Sequence, residues 1–141
     1  MSNNTIQDDL FRLVHTVKTV MLQRVKQTSH EIAPMHLRAL KVTSVIENCT
    51  SQDIATMLVR DKAQIARLLN DLIQQNLLKK TPNPKDKRSQ FIELTDQGQI
   101  ALNTLTVVET DVFDRMLLGL SEQEQQTFNE LTRRMYNNLR D

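Results

Sequence analysis

The sequence predicts a mainly α-helical protein organised as a winged helix-turn-helix with a two-stranded wing, flanked by helices at both ends. Three observations predict it. Only 2 Gly and 3 Pro occur in 141 residues, so helix breakers are scarce. Apolar residues recur at three- and four-residue intervals in the first and last segments. Between them, two short helical segments lead into two strands separated by the charged loop "PNPKDKR".

Each element follows from its local pattern. Ile6, Leu10, Leu13, Val14, Val17, Val20 and Met21 form one stripe, predicting a helix from about residue 6 to residue 28. Pro34 suits the first turn of a second helix, whose apolar face is read as Leu37, Leu40, Lys41, Val42, Val45 and Ile46 and whose end is expected near Asn48. In "TSQDIATML", Thr50 can accept from first-turn N–H groups and Asp53 favours the positive helix end, with Ile54, Ala55 and Leu58 facing inward. After a turn near residues 59–61, a further helix presents Ile65, Leu68, Leu69, Leu72 and Ile73 on one side and Ala63, Arg67, Asn70 and Gln74 on the other. The glycine common in such turns is absent.

"NLLKKT" and "SQFIELT" read as strands joined across Pro82 to Arg88, with Gln90, Ile92 and Leu94 on one face of the second. A long helix is expected from near Thr95, in spite of Gly98. Ser121 and Glu124 make a capping-box pattern for the last helix, on which Phe128, Leu131, Met135 and Leu139 form a sparse stripe.

Net charge is +1 overall, yet it is unevenly placed. Residues 60–90 hold eight basic residues against three acidic ones, a net of +5; the rest holds ten against fourteen, a net of −4. That concentration fits a polyanion-binding middle third. Nothing in the chain approaches the ~20 apolar residues of a membrane span, and the amino terminus lacks a signal-peptide pattern, so a cytoplasmic protein is expected. The one cysteine, Cys49, excludes an internal disulfide; with no cation beside it in sequence, it is read as a small buried residue rather than a redox sensor. His15, His30 and His36 lack metal-ligand spacing, and no nucleophile elbow, P-loop or catalytic carboxylate pair is visible. Neither an enzyme, a cofactor nor a metal is expected.

The whole chain resembles the MarR family of bacterial transcription regulators. The resemblance rests on "TSQDIATMLVRDKAQIARLLNDLIQQNLLKK", on "DKRSQFIELT" with its Asp-x-Arg at Asp86 and Arg88, and on "LTDQG". It implies a single domain over residues 1–141: dimerisation helices at 1–33 and 96–141, and a DNA-binding lobe at 34–95. It also implies a homodimer on a pseudo-palindromic operator, most often a repressor, released by a small aromatic acid. Members commonly carry Ser or Thr where this chain has Ala63, Gln64 and Ala66, so their base contacts do not transfer.

The candidate DNA-binding residues are Lys62, Ala63, Gln64, Ala66, Arg67, Lys85, Lys87 and Arg88. Gln64 suits bidentate contact with adenine, Arg67 guanine or phosphate, and the alanines a thymine methyl. Lys85 and Lys87 are phosphate candidates, and the planar, weakly hydrated guanidinium of Arg88 suits a narrow minor groove. Asp86 would repel phosphate, and the resemblance implies that it orients the wing through an arginine. Met35, His36 and Met57 are candidate ligand-pocket residues, although a solvated or core role is the favoured reading of the histidine and core filling the commoner role of methionine. The alternative function is a winged-helix module that meets an acidic protein without reading DNA sequence.

Overall fold

A computed structural model describes residues 5–140; Met1 to Asn4, part of the amino terminus read above, and Asp141 lie outside the described residues. Six helices and one two-stranded antiparallel sheet follow in the order α1 (Thr5–Lys26), α2 (Pro34–Val45), α3 (Ser51–Leu58), α4 (Lys62–Gln74), β1 (Leu78–Thr81), β2 (Phe91–Leu94), α5 (Asp96–Met116) and α6 (Glu122–Asn138). Among the described residues no helix is long and apolar enough to cross a membrane. The chain divides into two compact units, residues 1–109 and 110–141.

In the first unit, α2 packs against α3, α4 and β2, and the most deeply buried side chains include Leu37, Leu40, Ile54, Ile65, Leu72 and Leu78. The α2 face differs from its sequence reading. Ala39 and Thr43 are buried while Val45, the last residue of the helix, is exposed. Thr43 satisfies its buried hydroxyl by donating to the Ala39 carbonyl at 2.8 Å. Ala33 cannot cap α2 with its side chain; its own N–H instead donates to His36 Nδ1 at 3.0 Å.

The two helices of the central motif form as their caps dictate. Thr50 Oγ1 accepts from the Asp53 N–H at 3.2 Å, and Asp53 Oδ2 accepts from the Thr50 N–H at 3.0 Å. Asp61 Oδ1 accepts from the Gln64 N–H at 2.8 Å, which starts α4. Val59 closes α3 in the left-handed region, at φ 53° and ψ 53°, where a glycine would ordinarily sit. A β-branched residue there carries strain, while glycine gives back part of the gain through its unfolded-state entropy. Val59 is 65% exposed, so little packing is lost on its removal. Val59→Gly is therefore expected to stabilise the protein by about 1 kcal/mol in denaturant titration; a destabilised variant would show the strain is absent.

The strands are shorter than the sequence predicts, and the loop between them runs over residues 82–90. Leu78 faces Leu94, Lys79 faces Glu93, Lys80 faces Ile92 and Thr81 faces Phe91. The hairpin also gains an attachment that its own sequence does not announce. The Ile92 N–H donates to the Cys49 carbonyl at 2.7 Å, and Thr50 bridges Phe91. The segment entering α3 thus ties the base of the wing.

The second unit holds the end of α5, a turn with Gly119 at φ 83°, and α6. Ser121 Oγ accepts from the Glu124 N–H at 3.1 Å, while Glu124 Oε1 accepts from the Ser121 N–H at 2.9 Å. The Ser121 N–H, and after it the Ser121 hydroxyl, hold the Glu124 carboxyl below its usual range. No residue of α6 is buried, and Phe128, Leu131, Met135 and Leu139 all lie exposed.

Candidate nucleic-acid interface

Helix α4 divides sharply by chemistry. Ile65, Leu69 and Leu72 are buried, whereas Lys62, Ala63, Gln64, Ala66, Arg67, Asn70 and Gln74 are exposed. The outer face is therefore held rigidly by the inner one, as a surface that must present side chains to a partner requires. Arg67 lies along it, its Nε donating to the Ala63 carbonyl at 3.4 Å.

The wing loop is shaped by its own side chains. Asn83 Oδ1 accepts from the Lys85 N–H at 3.0 Å, and Asp86 Oδ1 accepts from the Arg88 N–H at 2.9 Å. Backbone bonds from Asp86 N–H to the Asn83 carbonyl and from Ser89 N–H to the Asp86 carbonyl, each 3.3 Å, complete two consecutive turns. Asp86 thus engages the backbone amide of Arg88 within the loop, where the resemblance implied an arginine partner. Lys85, Lys87 and Arg88 are all exposed.

One cleft joins these parts. Arg67, Ala66 and Asn70 of α4 line it together with Gln52 at the start of α3, Lys80 of β1 and Arg88 of the wing. Lys62 and Ala66 border a smaller recess with Ser51 and Gln52. The structure therefore brings Ala66, Arg67 and Arg88 together across about twenty residues of sequence, while Lys85 and Lys87 stand farther out on the loop. Gln52, Asn70 and Lys80 belong to the same cleft but do not stand among the sequence candidates. The alternation of the hairpin holds the one signal for Lys80, since it falls in phase with buried Leu78.

The remaining candidates lie elsewhere. His36 Nε2 sits 3.5 Å from Asp71 Oδ2 of α4, its Nδ1 being already taken by the Ala33 amide. Met35 is half-buried at the start of α2, and Met57 is exposed on α3. Cys49 is buried, and burial, with Asp53 adding to it, pushes its thiol up to about 11. The thiolate needed for redox chemistry is thereby disfavoured. Among the described residues no group of three His, Cys, Asp or Glu side chains could hold a metal ion.

Comparison with known proteins agrees with this architecture. Residues 30–89 match the model of the MarR family. The transcriptional regulator HosA of Escherichia coli O111:H- is 27% identical over 129 residues, covering 87% of this chain and 93% of HosA. Among solved structures, the Staphylococcus aureus MepR–DNA complex superposes with a TM-score of 0.85 at 24% identity, over 94% of this chain and 97% of that one. The PcaV regulator of Streptomyces coelicolor, in complex with its natural ligand, gives 0.82 at 22% identity, over 97% and 96%.

Proposed function

Because the chain belongs to the MarR family of winged-helix DNA-binding transcription regulators, we propose that it acts as a homodimeric repressor of an inverted-repeat operator, released by a small aromatic ligand. The observation that carries this reading is the shared cleft, in which α4, the wing and the start of α3 present cations and amides on one side of the lobe. Gln64 and Arg67 would address base edges in the major groove, Ala63 and Ala66 thymine methyls, and Lys62, Lys85 and Lys87 phosphates, while Arg88 enters the adjoining minor groove.

Dimerisation is supported by apolar surface that one chain leaves bare. On α1, Ile6 and Phe11 are 75% and 72% exposed, and Leu10, Leu13 and Val14 accompany them. The stripe of α6 is likewise uncovered. Burial of such area is worth roughly 25 cal/mol per Å2, which favours self-association. Residues 1–33 and 96–141 would then serve the dimer and 34–95 the operator. A twofold dimer sets its recognition helices about 10 base pairs apart, which makes the operator an inverted repeat.

Release by a ligand has a physical route in α2. His36 faces Asp71 of α4, so a ligand engaging His36 beside Met35 would act directly on the recognition helix; Met57 stands exposed on α3, the preceding helix. The decisive experiment is an anisotropy titration against random and inverted-repeat duplexes at several salt concentrations, with sedimentation at micromolar protein. Expected are a dimer, a preference for sequence, a steep loss of affinity with salt and weakening by aromatic acids. Binding indifferent to sequence would favour a protein-interaction module instead. Within the same assay, Gln64→Ala is expected to relax preference at one adenine by about 1–3 kcal/mol; an unchanged preference would remove Gln64 from the readout.

A further inference from the structure

The two adjacent lysines of β1 lie on opposite faces of the hairpin. Lys79 stands opposite Glu93, and its ammonium reaches the Glu93 carboxylate at 4.0 Å. Lys80 stands opposite Ile92, in phase with Leu78 and Leu94, on the face whose Leu78 and Ile92 side chains are buried. Paired residues of an antiparallel ladder point to the same side, so alternation assigns Lys80 to the apolar face. A charge in that phase requires an outlet. It has one, because Lys80 lines the cleft between α4 and the wing with Arg67, Asn70 and Arg88, its stem lying beside Ile92. No ion-pair partner for Lys80 exists among the described residues, whereas Lys79 has one.

We propose that Lys80 is a phosphate-binding residue: its ammonium, in the cleft between α4 and the wing, takes a backbone phosphate of the duplex where the strand passes from the groove addressed by α4 to the groove met by Arg88. This rests on the DNA-binding reading above and adds to it a contact from the strand. Arg67 of α4, Lys80 of β1 and Arg88 of the wing all line the one cleft, so a strand crossing between grooves there meets a cation from each of three elements. A lysine suits the role because a phosphate oxygen asks only for a point charge, which Lys80 supplies without a fixed planar orientation. The competing explanation is protective, since a charge on the apolar face of an exposed strand discourages edge-to-edge aggregation.

Lys80→Met keeps the stem and removes the charge. Operator affinity measured over a range of salt concentrations separates the explanations. Each phosphate contact contributes about 0.9 to the slope of log K against log salt, so Lys80→Met is expected to lower the slope by about 0.9 per bound protomer and affinity by about eightfold per protomer at 0.1 M salt. Lys79→Gln is expected to leave the slope unchanged, and Lys80→Arg to preserve it. An unchanged slope in Lys80→Met, with or without aggregation, overturns the proposal and leaves DNA binding intact. A wild-type protein that binds no duplex overturns both. Should Lys80→Met fail to fold, as judged by melting, Lys80→Gln read for the same slope decides in its place.

Discussion

Gly98→Ala is expected to destabilise the protein by roughly 3 kcal/mol or more and to lower its melting temperature by about 10 °C or more. A Cβ at this position would stand 1.9 Å from the Leu77 carbonyl oxygen and 3.2 Å from a Leu94 methyl. The nearest obstacle is backbone, so a rotamer change cannot relieve it. The carbonyl is fixed in turn, because it accepts from the Thr95 N–H at 3.1 Å. Around it, Thr95 Oγ1 donates to the Asn76 carbonyl at 2.6 Å and accepts from the Gly98 N–H at 2.9 Å. Shifting the first turn of α5 would break this junction between the end of α4, the strand that starts the wing and the helix that follows it. Gly119→Ala is the control. Its φ of 83° strains an alanine, yet no atom lies within 4 Å, so only the backbone cost of about 1–2 kcal/mol applies. Melting of Gly98→Ala within two or three degrees of wild type would show that α5 has room to move.

Arg88→Ala is expected to reduce operator affinity by about 1–3 kcal/mol, with Arg88→Lys restoring little of it. Its backbone N–H is pinned to Asp86 Oδ1, which fixes the point from which the side chain leaves the loop. A lysine would keep the charge but lose the flat, weakly hydrated head that a narrow groove favours. Anisotropy titration of the three proteins decides the matter. Equal binding by Arg88→Lys and wild type would reduce Arg88 to a general phosphate contact, and no loss in Arg88→Ala would take the wing out of the groove. Because the loop is closed by backbone N–H groups donating to the side chains and carbonyls of Asn83 and Asp86, removing the guanidinium leaves its frame in place, so the measurement reports the contact rather than a collapsed wing.

Where local pattern and local chemistry coincide, the sequence was sufficient. Thr50 with Asp53, Ser121 with Glu124, and the two faces of α4 depend only on neighbours within four residues, and the structure has each of them as read. Boundaries were less legible. The α2 face was misassigned at Val45 because helical phase cannot say where a helix ends. The turn forms without its usual glycine, because Val59 itself adopts the left-handed conformation.

Helix order, the hairpin and the concentration of basic charge were all determined by the sequence alone, since periodicity, capping and charge are written within short windows. Only tertiary structure decided that the Cys49 carbonyl ties the wing, that Gly98 must have no side chain because Leu77 lies against it, and that Lys80 shares a cleft with Arg67 and Arg88. Those are meetings between residues far apart along the chain, fixed by how buried faces fit together, and a pattern read over a few neighbouring positions holds no record of them.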